Sequence, residues 1–150
     1  MRLLCDHMLG SLARWLRFMG YDTAYPSAMA DNDLIAKARA EDRVLITRDK
    51  ELAGRFAGSL AIRSDVLEEQ IREVAALVPL RLVNPLSRCS LCNVVIEAVS
   101  PEDVHGLVPE GVRSRHQEFW RCPSCGRVYW QGSHWDKMVE WLNSLHLPAP

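Results

Sequence analysis

Hydrophobic and polar positions change period several times along the first eighty residues. Leu3–Cys5 is a short apolar run that stops at Asp6. Behind it, Leu9, Leu12, Trp15, Leu16 and Met19 recur at helical spacing and predict a helix over Met8–Met19, with Gly20 placed to end it as a C′ residue. Asp22–Tyr25 predicts a second strand. Asp31 stands at the N-cap of a predicted helix over Asn32–Ala40, where Leu34, Ile35 and Ala38 share a face. Val44–Thr47 predicts a third strand, Leu52–Phe56 a short helix and Leu60–Ile62 a fourth strand. Asp65 and Glu68 resemble a capping box ahead of a helical face made by Leu67, Ile71, Val74, Ala75 and Val78. Strands alternating with helices predict an α/β fold, a mainly parallel sheet flanked by helices. Such sheets have right-handed crossovers and collect ligands at the carboxyl ends of their strands. Asp6 and Asp49 are predicted to lie at those ends.

The pattern changes after Pro79. The stretch from there to Pro85 reads as a linker, which divides the chain into residues 1–82 and 83–150. In the second part, Cys89-Ser-Leu-Cys92 and Cys122-Pro-Ser-Cys125 form two knuckles with 29 residues between the inner cysteines. Phe119–Arg121 and Arg127–Trp130 predict a hairpin around the second knuckle. Ser133 reads as an N-cap with Asp136 at N3, and Trp135, Met138, Val139, Leu142 and Leu145 form the apolar stripe of a last helix. Two Cys-x-x-Cys pairs suit a closed tetrahedral zinc site, with Cys89, Cys92, Cys122 and Cys125 as ligands. The competing reading, a redox dithiol, needs only one pair. A metal staple also suits a segment too short to build a thick core. Cys5 reads as core packing, and His134 is the nearest alternative ligand.

Composition narrows the class of function. The net charge is −1; residues 1–86 hold 12 Lys/Arg against 12 Asp/Glu, and residues 87–150 hold 6 against 7. A polyanionic partner therefore needs a local patch rather than a global field. No apolar run approaches the length of a membrane span, and charges interrupt the N-terminal apolar stretches, so no membrane partner and a cytoplasmic location are expected. Reduced cysteines in that compartment favour metal binding over disulfides.

Candidate chemistry lies in Asp6, Asp31 and Asp49. Carboxylates gathered in one place repel one another, and a hard divalent cation, Mg²⁺ or Mn²⁺, relieves the repulsion. Such an ion activates water and stabilises the charge that develops in phosphodiester hydrolysis. Each aspartate also has a plain reading: Asp31 as a cap, Asp49 paired with Arg48 or Lys50, Asp6 capping the first helix. Asp33 and Asp65 suit helix first turns. Arg14 and Arg17, three apart on the first helix, join Arg48 and Lys50 as a basic rim for an RNA backbone, or else form a solvated face.

Taken together, DHMLGSLARWLRFMGYDT, DNDLIAKARAEDRVLITRDKEL, the first Cys-x-x-Cys and CPSCGRVYWQGSHWDKM resemble the PIN-like ribonuclease domain of the Mut-seven C-terminal type, which carries a C-terminal zinc ribbon. The resemblance covers about residues 2–142. It implies a PIN-like sheet followed by a small zinc ribbon, and metal-dependent RNA cleavage. The family's acidic positions match Asp6, Asp31 (with Asp33 beside it) and Asp49; Asp65 is the nearest fourth acid. Its ribbon ligands match Cys89, Cys92, Cys122 and Cys125. The expected function is a ribonuclease with structural zinc, catalytic Mg or Mn bound by Asp6, Asp31 and Asp49, and Arg14, Arg17, Arg48 and Lys50 on the substrate. The alternative is a zinc-ribbon module that binds RNA or protein without cutting. A phosphoacceptor receiver domain also uses strand-end aspartates, but no lysine stands between Arg55 and Lys137 to serve it. The apolar stripe of the last helix suits docking on its own chain or a homo-oligomer.

Overall fold

A computed structural model describes residues 1–82 and 84–147; Val83, inside the expected linker, and positions 148–150, at the end of the second segment, lie outside the described residues. The first half follows β1 (Arg2–Cys5), α1 (Gly10–Phe18), β2 (Asp22–Ala24), α2 (Asp31–Glu41), β3 (Val44–Thr47), α3 (Lys50–Arg55), β4 (Ser59–Ala61) and α4 (Leu67–Leu77). The four strands make one parallel sheet in the order β2-β1-β3-β4. The fold is α/β, a parallel four-stranded sheet flanked by helices and followed by a cysteine cluster consistent with a zinc ribbon.

Strand alternation assigns the two faces of this sheet. Leu3, Cys5 and Ile46 pack on one side among Leu12, Leu16, Met19, Ile71 and Val74, the buried faces of α1 and α4. Leu4 and Leu45 pack on the other among Leu34, Ile35, Ala38 and Leu52, from α2 and α3. The direction of the chain reverses between β1 and β3: it leaves β1 toward β2, then returns past β1 to β3. That reversal is the topological switch point of the sheet, and in open parallel sheets ligands enter there.

The second half follows β5 (Glu97–Val99), a 3-10 turn at Pro101–Val104, α5 (Glu110–Arg115), β6 (Phe119–Arg121), β7 (Val128–Tyr129) and α6 (Ser133–Ser144). The expected hairpin is the antiparallel β6–β7 pair, and β5 adds a third antiparallel strand that the sequence did not announce. Glu97 and Ala98 are exposed and provide no apolar alternation. The stripe on α6 docks on its own chain. Leu142 and Leu145 are buried in the same core as Leu12 and Leu16, and the Trp141 ring lies 4.5 Å from that of Trp15. Each such leucine contributes about 2 kcal/mol by leaving water.

Helix starts depart from expectation in three places. Asp31 is the first residue of α2, and Ala30, with no capping side chain, is the N-cap. Gly132 precedes α6 in place of Ser133, again without a side-chain cap. No capping box forms at Asp65: the helix begins at Leu67 after Val66, whose N–H bonds the Ser64 hydroxyl instead. In each case a polar residue one position from the boundary reads as a cap because caps and first turns favour the same side chains. Gly20 does end α1, with φ +105°, and a Cβ there would sit 3.0 Å from the Asn84 backbone nitrogen.

Candidate active site and zinc centre

Asp6 and Asp49 follow the C-terminal ends of β1 and β3, adjacent strands at the switch point. The β1 ladder continues one residue further, because the Asp6 N–H donates to the Ile46 carbonyl at 3.2 Å. Alternation then puts Asp6 on the side of Leu4, and Thr47 on the side of Leu45, so both face the α2/α3 layer. Thr47 is fully buried, and its hydroxyl donates to one Asp6 carboxylate oxygen at 2.5 Å while accepting from the Asp49 N–H at 3.0 Å. The other Asp6 oxygen accepts from the Met8 N–H at 3.0 Å, and the side chain is only 3% exposed overall. Asp6 is therefore locked in one rotamer by bonds to both oxygens. Asp49 caps α3: its Oδ1 accepts from the Glu51 and Leu52 N–H groups, and the residue is exposed. Its second oxygen remains open to solvent or a ligand.

Asp31 enters at the start of α2, on the same side of the sheet, and faces Arg55 at 3.9 Å. Asp33 and Asp65 are exposed. Among the described residues, the three aspartates do not bring their oxygens within 4.8 Å of one another as a group; the four cysteines do. The carboxylate set fits an ion held directly by one or two carboxylates with water completing the shell, the usual manner of Mg²⁺. Asp49 has the open oxygen for this, and Asp6 keeps spare lone pairs on oxygens that each accept one hydrogen bond.

The basic residues divide. Arg14 and Lys50 are exposed. Arg48 is half-buried; one end of its guanidinium reaches the Arg63 carbonyl at 3.5 Å and its Nε has no hydrogen-bond partner. Arg17, expected on the basic rim, is buried at 7% exposure, and its guanidinium donates to the carbonyls of Thr23, Ser90 and Leu91. It is a strut between α1, β2 and the first cysteine knuckle rather than a phosphate contact. Burial lowers its pKa below the ordinary guanidinium range. The helical spacing that made Arg14 and Arg17 neighbours did not reveal that the knuckle would cover one of them.

The four cysteine sulfurs lie within 4.8 Å of one another. Cys89 and Cys125 Sγ are 3.8 Å apart, and sulfurs about 2.3 Å from a tetrahedral centre are separated by about 3.8 Å. The donor set therefore fits zinc. Burial pushes the Cys89 thiol up, but hydrogen bonds from the Tyr129 hydroxyl and the Cys92 and Leu91 amides outweigh it and bring it down to about 7. Cys92 is pushed up to about 11, by burial and by the Cys125 thiol beside it. Cys5 is fully buried, and burial together with the adjacent Asp6 charge raises its thiol further, so it packs and does no chemistry.

The Mut7-C RNAse domain family model matches residues 1–142. The chain belongs to this family. No curated protein and no solved structure matches it. The family's description points to a ribonuclease-type function with RNA as the substrate. Among the described residues, no helix of this Mut7-C domain is long and apolar enough to cross a membrane.

Sequence reasoning missed several residues that shape the Mut7-C site. Thr47 reads from the sequence as the last residue of a strand; the signal for its role is a hydroxyl at an inward position directly before Arg48-Asp49. Asn93 carries no periodic or motif signal in the sequence. Its Oδ1 accepts from the Thr23 N–H at 2.9 Å and its Nδ2 donates to Asp22 at 2.7 Å, which ties the knuckle to the outer edge of β2. Asp22 also pairs with Arg43 at 2.8 Å, and these bonds outweigh burial to hold its carboxyl down at about 2.

Proposed function

We propose that this chain is a metal-dependent ribonuclease that hydrolyses RNA phosphodiester bonds at the carboxyl end of β1 and β3. The observation that carries the reading is the Thr47 bridge, which joins a buried, doubly hydrogen-bonded Asp6 to the backbone of Asp49 at the switch point. Asp6 is buried with no arginine or lysine paired to it among the described residues; its two hydrogen bonds offset part of the cost of burial, and a bound cation would offset the rest. Asp6 and Asp49 would hold Mg²⁺ or Mn²⁺, with Asp31 bordering the site from α2. When bound, the ion supplies Lewis acidity and a water of lowered pKa.

The chain's own residues prepare the site. Thr47 and the Met8 amide fix the plane of the Asp6 carboxylate. The α3 first-turn amides fix Asp49 and leave one of its oxygens facing outward. Arg14, Arg48 and Lys50 supply positive charge for the RNA backbone, and the cysteines hold structural zinc and take no part in the chemistry. The test is Asp6→Asn and Asp49→Asn, with Mn²⁺ affinity from calorimetry and cleavage of end-labelled RNA as readouts. Each substitution is expected to reduce cleavage at least ~100-fold, the scale of losing one preorganised electrostatic group. Variants that cut at the parent rate would remove the proposal. The second reading, a zinc ribbon that binds RNA without cutting, draws on the absence of a tight three-carboxylate group among the described residues. It wins if Mn²⁺ affinity is indifferent to both substitutions while RNA still binds.

A further inference from the structure

A cavity of about 620 Å³ opens where α1, the ribbon, α5 and α6 meet, away from the acidic site. This volume is within the range of small-ligand sites. Its walls combine two chemistries. Phe18, Tyr129, Trp130 and Trp135 supply aromatic surface, and Arg88, Arg115 and Arg127 supply charge, with no aspartate or glutamate among the lining residues. None of these three arginines pairs with a carboxylate among the described residues, although others such as Arg43 and Arg113 do. Arg88 also donates to the Asn93 carbonyl and its charge acts on Asp22, and Arg115 donates to the Gly111 carbonyl; even so, three guanidiniums around one hollow, in a chain of net charge −1, mark a local anion site.

Two further observations point to a ligand. The indole N–H of Trp135, a residue that lines the cavity, is buried without a hydrogen-bond partner, the kind of donor a bound group satisfies. In addition, α6 begins at this wall behind Gly132 with no side-chain cap; Asp136 lies in its first turn, and the uncapped amides ahead of it favour a negative group. Gly132 is needed for the shape: a Cβ there would lie 2.7 Å from the Trp130 Nε1, so only glycine lets that indole lie against the start of the helix.

We infer that this cavity binds one nucleotide of a single-stranded RNA, its base stacked on the indole and tyrosine rings and its phosphate on the arginines and the α6 amides. Aromatic platforms beside unpaired arginines are the usual means of holding single-stranded nucleic acid without reading sequence. Phe18 closes α1 at the cavity, whereas Asp6 precedes its start, and nine helical residues span about 13 Å. The bound nucleotide is therefore distinct from the one that is cut. RNA as the occupant rests on the ribonuclease reading, but binding does not require turnover.

The test uses the full, zinc-loaded chain without Mg²⁺ or Mn²⁺, so that no cleavage occurs. Fluorescence anisotropy measures affinity for a labelled hexauridylate, an abasic ribose-phosphate hexamer and a hexaglutamate peptide. Arg115→Ala and Trp130→Ala are each expected to weaken hexauridylate roughly tenfold or more, Trp130→Phe to retain binding, and the abasic and glutamate probes to bind at least tenfold more weakly than RNA. Arg115 is exposed, so its variant carries the test if Trp130→Ala does not fold. Unchanged RNA affinity in Arg115→Ala overturns the inference. So does equal binding of the abasic probe, which signals a plain anion site, or tighter binding of the peptide, which signals a protein partner. Cleavage with Mn²⁺ is assayed separately. Binding as described without cleavage sinks the nuclease reading alone, and cleavage without this binding pattern sinks the cavity alone.

Discussion

Thr47→Val isolates the bridge on which the geometry of the candidate site rests. Valine is nearly isosteric with threonine and keeps the strand propensity, so the substitution removes one hydroxyl from a fully buried position and little else. Two bonds go with it. The bond to the Asp6 carboxylate involves an ionised acceptor and is of the class that contributes about 1.5–3 kcal/mol; loss of the acceptor for the partly exposed Asp49 N–H adds about 1 kcal/mol. The expected loss of stability is thus about 2–4 kcal/mol, measured by urea unfolding of the zinc-loaded protein. Thr47→Ser keeps the hydroxyl and loses one buried methyl, which costs about 1 kcal/mol. Because Thr47 orients a proposed metal ligand without touching the metal, Thr47→Val should also weaken Mn²⁺ binding by about 10–100-fold, whereas Thr47→Ser should not. If Thr47→Val stays within about 0.5 kcal/mol of the parent and binds Mn²⁺ as tightly, the bridge does not organise the site and the reasoning fails.

Arg17→Ala should destabilise the chain by about 2–4 kcal/mol, because it strands three carbonyl groups at the joint between α1 and the knuckle; if instead RNA binding falls with stability intact, its assignment as a strut is wrong. Asn93→Ala should cost about 2–3 kcal/mol, from the Thr23 N–H it leaves unpaired and from alanine at φ +65°, and Asn93→Gly should recover the backbone share of that loss in the same thermal melt. Removing zinc with a chelator should shift the tryptophan fluorescence, since Trp120 and Trp135 pack against the cysteine cluster, and should release Cys89 and Cys125 to react with a thiol reagent; an unchanged spectrum refutes a structural metal. A chain ending after residue 82 should show no cooperative unfolding transition, because it lacks Leu142, Leu145 and Trp141 on the α1 face.

Much of the sheet was legible because period-2 and period-3.6 patterns alternate cleanly before Pro79, and because a strand that ends in an aspartate is easily noticed. Val44–Thr47 matches β3 residue for residue. The cysteines were legible because their chemistry constrains spacing locally. What the sequence hid is what depends on distant packing. Arg17 and Arg14 look alike on a helix wheel, and only the docking of residues 90 and 91 separates them. Asn93 shows no periodic signal at all, since its role lies in a left-handed backbone turn that aims the amide at β2. Asp31, Ser133 and Asp65 read as caps or capping-box residues, although the N-caps are Ala30, Gly132 and Val66, because a single polar side chain suits either side of a helix boundary. The cavity was invisible because its arginines and aromatics come from α1, the ribbon strands and α5 together with α6.

The joint between the two halves explains why a zinc ribbon accompanies this sheet. β2 is an edge strand, and an unpaired edge is a template for wrong pairing. Here the knuckle covers it: Asn93 accepts from the Thr23 N–H, and the Thr23 carbonyl accepts from Arg17, whose other N–H groups are held by Ser90 and Leu91. Those two carbonyls belong to the turn between Cys89 and Cys92, whose shape an ion shared by both sulfurs would fix. An ion held by the four cysteines would thus act on the sheet through these hydrogen bonds without approaching Asp6. Metal loss should first loosen β2, and with it α1, whose Leu12 and Leu16 pack beneath β1. The acidic site lies between β1 and β3, in the sheet interior, so the ribbon contributes to the carboxylates by guarding the edge of the sheet that presents them.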